Sequence, residues 1–206
     1  MKKGILFDLD GTLWDSREAV AISWNIALER MGREERCTAE WIGSQMGKTM
    51  DDFAMALFPT ETLEAAKAML AECMQEENEY VRTHGGILMD GLEETLKALK
   101  EKGFFLAIVS NCQEGYIEAF LEYHQLGQYF DDTENFGRTG RSKGANIRLV
   151  VERNHLDEAV YLGDTQGDYD AAKEAGVPFL HAAYGFGTVP EGTRGISDIR
   201  LLPEAV

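Results

Sequence analysis

The run Gly4, Ile5, Leu6, Phe7 reads as a buried strand, and it ends in Asp8, Leu9, Asp10, Gly11, Thr12. Behind Ser16, a helix-starting residue type, Val20, Trp24, Leu28 and Met31 recur at the three- and four-residue spacing of one helical face. A second such stripe, Leu63, Ala66, Leu70, Cys73 and then Tyr80 or Val81, predicts a long helix starting near Thr60, after Pro59. Between them, Trp41 to Phe58 predicts short helical pieces broken at Gly43 and Gly47. Residues 16–85 therefore read as all-helical.

From Gly91 the pattern alternates. Leu92, Leu96 and Leu99 mark a helix that ends at Gly103, and Phe104 to Val109 reads as a buried strand. Ile117, Phe120 and Leu121 mark a helix, and Ser142 to Arg153 another, leading to a strand at Val160 to Leu162. Gln166 to Ala175 is a helix stopped by Gly176 and Pro178, and Val177 to Leu180 a further strand. Strands alternating with helices imply parallel pairing with helical crossovers on both faces. The fold class is a doubly wound, Rossmann-like α/β core. It occupies residues 1–15 and 86–206, with residues 16–85 as a small all-helical cap inserted after the first strand. The chain crosses out near Trp14 to Ser16 and back at Gly85 and Gly86.

The chemistry gathers where strands end. Residues i and i+2 of an extended segment face the same way about 7 Å apart, so Asp8 and Asp10 could flank one phosphorus, one attacking it and the other protonating the leaving oxygen. After the second strand come Ser110 and Asn111, then Lys143, and after the third Gly163, Asp164, Thr165 and Asp168. This order of parts resembles the haloacid dehalogenase-like hydrolases, whose four motifs are DxDGT, a Ser or Thr, a Lys, and an acidic pair such as GDxxxD. The helical insertion between the first two motifs is similar to the type 1 cap of phosphoglycolate phosphatase-like members.

The resemblance implies a Mg²⁺-dependent phosphatase. Asp8 would be the nucleophile that forms an aspartyl-phosphate, and Asp10 the general acid and then base. The implied Mg²⁺ ligands are the Asp8 side chain, the Asp10 main-chain oxygen and Asp164, with Asp168 binding the metal directly or from behind. Ser110 and Lys143 would bind the phosphoryl oxygens. Asn111 and Thr12 would shape the loop or approach the phosphate. Two departures stand out: Gly144 follows the lysine where related phosphatases often carry Pro, and Asp90–Gly91 replaces a Pro-Gly. The loop Ile42 to Thr49, with Gln45, Gly47 and Lys48, is the expected selector of substrate, with Trp14 beside the catalytic loop as a further candidate. A phosphosugar mutase of the β-phosphoglucomutase kind would use the same nucleophile and metal, and a noncatalytic binding module could keep the fold.

Composition narrows the partners. The 206 residues carry a formal charge of −16 and no long apolar run, which excludes nucleic acid or an anionic membrane surface as the main partner. The expected partner is a small phosphorylated metabolite, met in the cytoplasm by a monomer or homodimer. An anionic substrate then needs a locally positive site, which a cation and Lys143 would supply. Cys37, Cys73 and Cys112 show no CxxC spacing and read as reduced structural thiols. The four histidines, His84, His124, His155 and His181, form no zinc signature.

Overall fold

The computed structural model describes residues 1–46 and 48–206. Strand β1 (Lys3–Phe7) is followed by the two-residue strand β2 (Trp14–Asp15) and four helices, α1 (Arg17–Arg30), α2 (Ala39–Gln45), α3 (Met50–Leu57) and α4 (Leu63–His84). The chain returns through β3 (Ile87–Leu88), which pairs antiparallel with β2, Trp14 opposite Leu88. Thereafter come α5 (Leu92–Glu101), β4 (Phe105–Ser110), α6 (Tyr116–His124), β5 (Asp132–Asn135) and the single turn α7 (Phe136–Thr139). Helix α8 (Lys143–Arg153), β6 (Glu158–Gly163), α9 (Gln166–Ala175), β7 (Phe179–Ala182), β8 (Gly195–Ile196) and α10 (Leu202–Ala205) complete the chain.

The main sheet has the order β5-β4-β1-β6-β7-β8, with every neighbouring pair parallel. The first strand lies in the middle, flanked by β4 and β6, so the chain moves outward from it in both directions. The strand order reverses there, and the crevice at the carboxyl end of such a switch point is where open α/β sheets bind ligands. Alternation along β1 feeds both faces. Ile5 and Phe7 join one core with Leu92, Leu96 and Ile108, while Leu6 joins another with Val109, Ile147 and Tyr161.

The helical insertion has its own apolar cluster, built from Trp24 and Leu28 of α1, Ile42 of α2, Phe53 and Leu57 of α3, and Leu70 and Cys73 of α4. Each fully buried side chain of this kind contributes about 1.5–3 kcal/mol.

Local chemistry moves several of the sequence-based boundaries. Helix α4 starts at Leu63 rather than near Thr60, because the Thr62 side chain accepts the Ala65 N–H and fixes the cap there. Gly43 does not break the helix: it lies inside α2, where the absence of a side chain lets Arg17 pack against it. Strand β7 begins at Phe179, not Val177, because the Val177 amide bonds back to Ala172 at the end of α9. Asp164 follows β6, ahead of the first turn of α9, which carries Asp168. Strand β5, with the polar sequence Asp-Thr-Glu-Asn, was not expected from the apolar pattern, nor were β2, β3 and β8.

Candidate active site

Sheet register brings the strand-end residues together. Phe7 pairs with Ile108 on one side and Leu162 on the other. Asp8 therefore emerges between the ends of β4 and β6, one residue short of Ser110 and of Asp164 respectively. The Asp8 amide still bonds to the Leu162 carbonyl at 2.8 Å, which fixes the turn that follows. Gly11 adopts φ 82°, and a Cβ there would strike the Asp164 carboxyl. The loop after β1 is thus obliged to be glycine where it crosses the second acidic motif.

Lys143, the first residue of α8, is 8% exposed and points into this cluster. Its Nζ donates to Asp8 Oδ1 at 2.8 Å and to Asp168 Oδ1 at 2.7 Å. The other Asp168 oxygen accepts the Thr165 backbone N–H and hydroxyl at 2.9 and 2.7 Å, as part of a capping box on α9. Asp168 is thereby engaged on both oxygens by protein donors. Gly144 fits the same packing: a side chain at that position would collide with Glu174, which accepts the Ser142 hydroxyl at 2.8 Å. Arg141 and Lys173 are exposed.

Asp164 Oδ2 accepts the backbone N–H groups of Phe186 and Gly187 at 2.8 and 3.1 Å. Asp8, Asp164 and Asp168 offer carboxyl oxygens all within 4.8 Å of one another, and all three are buried. Burial, with Asp168 adding its negative charge, holds the Asp8 carboxyl well above its ordinary value despite Lys143. Burial and Asp168 likewise lift Asp164 to about 6. Burial works against the Lys143 ammonium, but the Asp168 and Asp8 carboxylates override it and push its pKa up. A bound hard cation would relieve this crowding, and three carboxylates suit the oxygen preference of Mg²⁺. The Asp10 carboxyl stands outside the cluster.

Asp10 has a different environment. Its Oδ1 accepts three hydrogen bonds, from the Ser16 hydroxyl at 2.5 Å, the Trp14 indole at 3.0 Å and the Tyr116 hydroxyl at 3.0 Å. Ser16 stands at the N-cap of α1 but makes no side-chain cap bond. Its hydroxyl serves Asp10 instead. Burial raises the Asp10 pKa, and the bonds from Ser16, Tyr116 and Trp14 oppose that rise. Burial favours its protonated form and the three donors its ionised one, the two forms that a proton-transfer group exchanges.

A cavity of about 90 Å³ lies between these groups and the helical insertion. Asp8, Asp10, Ser110, Asn111 and Lys143 line one side, with Gln113 and Tyr116, and Val20, Trp24, Ile42, Met46, Phe53, Met74 and Glu77 the other. Lys48 and Met50 line it too and are shared with an outer groove of about 580 Å³ that also includes Lys143 and Asn111.

Two sequence-based expectations need correction, and a third is decided between its alternatives. Trp14 does not line the cavity: it is wholly buried, stacked edge-on against Phe120 with centroids 4.9 Å apart. Thr12 takes the loop-shaping alternative: it is wholly buried, its hydroxyl directed at Asp164 Oδ1 at 3.4 Å. Gln45 stands behind the wall, its side-chain oxygen accepting the Lys48 Nζ at 3.0 Å. Gly47 lies outside the described residues. The sequence reading also missed Tyr116, Glu77 and the Tyr184–Gly187 loop, whose Tyr184 hydroxyl bonds to the Thr12 carbonyl at 2.9 Å.

Comparison with known proteins agrees with this geometry. Residues 5–182 match the haloacid dehalogenase-like hydrolase family. A phosphoglycolate phosphatase of Aquifex aeolicus is 31% identical over 88% of this chain and 85% of its own length. One from Escherichia coli K12 is 27% identical over 89% and 82%. Among solved structures, a protein described as haloacid dehalogenase-like from Bacteroides fragilis superposes with a TM-score of 0.83 at 27% identity, covering 98% of this chain and all of the other. CbbY from Rhodobacter sphaeroides, solved with phosphate, shares the fold at a TM-score of 0.82 and 19% identity, over 98% of this chain and 96% of its own. The chain belongs to the haloacid dehalogenase-like hydrolases and is a phosphoric monoester hydrolase of that family.

Proposed function

We propose that this enzyme is a Mg²⁺-dependent phosphatase that cleaves a small phosphorylated metabolite through an aspartyl-phosphate on Asp8. The observation that carries the reading is the division of labour between two neighbouring carboxyls. Asp8 is held by Lys143 within the acidic cluster, and Asp10 is held by three neutral donors outside it. The reading places the metal against Asp8 and Asp164. When bound, Mg²⁺ would neutralise the crowded carboxylates and offset charge on the phosphoryl oxygens. Asp168 then serves to hold Lys143.

In the first step an Asp8 oxygen attacks phosphorus, the bond to the leaving oxygen breaks, and Asp10 gives that oxygen its proton. Lys143 and Ser110 neutralise and hold the phosphoryl oxygens in the transition state. In the second step Asp10, now ionised, takes a proton from water. The resulting hydroxide attacks phosphorus, and the Asp8–phosphorus bond breaks to release phosphate and restore both carboxyls.

Residues 16–85 are assigned as a cap that closes over this centre. The antiparallel pairing of β2 with β3 supports the assignment, because both crossings run through one two-stranded stem. A cytoplasmic setting is consistent with three free, buried cysteines.

The test is phosphate release from p-nitrophenyl phosphate with and without Mg²⁺, on the wild type and on Asp8→Asn. Asparagine keeps the shape and is a poor nucleophile, so turnover should fall below detection while the circular dichroism spectrum is unchanged. Native turnover by Asp8→Asn would overturn the covalent mechanism.

A further inference from the structure

The loop that holds Asp164 is gripped by a residue of the helical insertion. Arg17, the first residue of α1, lays its guanidinium over the Phe186 ring, 4.0 Å from the centroid. The guanidinium is itself fixed from two other directions. Asp15 of β2 accepts the Arg17 Nε and Nη2 on its two oxygens at 2.9 and 2.7 Å, and the Arg17 amide at 3.1 Å, a fork that a lysine cannot copy. Gly43 of α2 stands against the Arg17 stem, so close that a Cβ there would lie 3.0 Å from Cδ. The residue under the guanidinium is also one of the two that bind Asp164: the Phe186 and Gly187 amides both donate to its Oδ2. The loop has no slack at this point, since a Cβ on Gly185 would collide with the Asp164 side chain and one on Gly187 with the Asp164 carbonyl oxygen. Three elements thus meet at Arg17: the β2 stem, helix α2 of the insertion, and the loop after β7 that carries the Asp164 donors.

We infer that Arg17 is a positioning residue for the cation site: by holding the Phe186 ring, it keeps the Phe186 and Gly187 amides on Asp164 and so fixes the carboxylate that Mg²⁺ binds. The inference rests on the phosphatase reading for the presence of Mg²⁺ at Asp164. An Asp–Arg pair as exposed as this one contributes little by itself. What sets it apart is that its guanidinium lies on a ring whose own backbone grips an acidic residue of the site. Arg17 meets the face of that ring, so its influence reaches Asp164 through the backbone. A contact can bias a site by no more than its own worth, and a partly exposed cation–π contact corresponds to a factor of about two to five in an equilibrium constant.

Mg²⁺ bound to the folded protein raises its Tm, so the Tm of the whole chain, followed as Mg²⁺ is added, reports affinity without turnover. Arg17→Met keeps a stem against Gly43 and removes the cation, and Phe186→Leu keeps apolar bulk and removes the ring face. Each should weaken the apparent Mg²⁺ affinity by about twofold to fivefold, whereas Phe186→Tyr should leave it native. The double variant Arg17→Met/Phe186→Leu should lose no more than either single one, because the same contact is removed in all three. Arg17→Lys keeps a charge but neither the fork on Asp15 nor the flat face on the ring, so it should lose most of the same factor, and it repeats the test if Arg17→Met fails to fold. A merely structural role would lower the Tm without Mg²⁺ and leave the affinity unchanged. Native Mg²⁺ affinity in the single variants, or losses that multiply in the double one, would overturn the inference. A wild-type Tm that does not respond to Mg²⁺ would instead overturn the metal reading of the acidic cluster, and the inference with it.

Discussion

The two sides of the cavity are built on opposite principles. On the sheet side every carboxyl is held by directional bonds: Asp164 by two backbone amides, Asp168 by Thr165 and Lys143, and Asp10 by three side-chain donors. On the helical side the wall includes Met46, Met50 and Met74, flexible side chains that adapt to what they touch, around one anchored carboxyl. Fixed geometry is what phosphoryl transfer needs, because its catalysis consists mainly of positioning and charge neutralisation. Recognition of the alcohol half tolerates a softer surface. The comparison predicts that sheet-side substitutions slow all substrates together, whereas cap-side substitutions alter ranking and stability.

The largest effect that would break this comparison is at Asp10. Asp10→Asn should cost about 10²- to 10⁴-fold in kcat/KM on alkyl phosphates. It should cost less on p-nitrophenyl phosphate, whose leaving group needs little protonation. Equal losses on both would remove Asp10 from proton transfer. Lys143→Ala comes next, with a loss of about 10²- to 10³-fold that is uniform across a substrate panel. A loss confined to some substrates would move Lys143 to the recognition side.

The third test concerns Glu77 and stability. Burial lifts its pKa from an ordinary 4.5 to about 8, against the hydrogen bond from Trp24. The folded protein therefore holds a proton that the unfolded chain loses above 4.5. Folding stability should decline as pH rises from 4.5 to about 8, and level off once the group is ionised in both states. Glu77→Gln cannot ionise, so its folding stability should gain on that of the wild type between pH 5 and 9, by an amount on the order of a few kcal/mol at 9, and its Tm should gain with it. Parallel Tm curves for the two proteins would show that Glu77 is not desolvated as described.

The smallest expected change is also the sharpest. Tyr116→Phe keeps the ring packed against Trp14, 5.8 Å away, and removes one of the three donors to Asp10. One lost hydrogen bond is worth about 1 kcal/mol, or roughly fivefold in rate. That donor lowers the Asp10 pKa, so its removal should raise it, and the alkaline limb of the kcat/KM profile should move upward. A downward shift, or none, would mean that Tyr116 acts only through packing.

The parts of this architecture that follow apolar periodicity were legible in the sequence. Asp8, Ser110 and Asp164 each end an apolar strand, so the switch-point rule assembled them without coordinates. Strand β5 escaped because its residues are polar and are satisfied from outside: Arg153 bonds Asp132 and Glu134, and Asn154 bonds Asp132. Trp14 was misassigned because adjacency in sequence says nothing about direction; its ring turns into the α6 core while only its N–H reaches the site. Tyr116 is more than a hundred residues from Asp10 and carried no motif. Glu77 did carry a signal: it interrupts the stripe Ala66, Leu70, Cys73 and Val81 at the matching spacing, and a carboxylate on an apolar helix face calls for a partner or a guest.

Two indoles end on opposite carboxyls of one small space, Trp14 on Asp10 and Trp24 on Glu77. Two of the three indoles are thus built-in optical reporters, one for each of these carboxyls. Indole emission depends on the charge and hydrogen bonding of its N–H neighbour, so the protonation of Asp10 and that of Glu77 should leave separate marks on the fluorescence. Trp14→Phe would silence the first and Trp24→Phe the second. With Trp41 also replaced by Phe, stopped-flow records of the two variants would then follow the two carboxyls independently, in protein that carries no added dye.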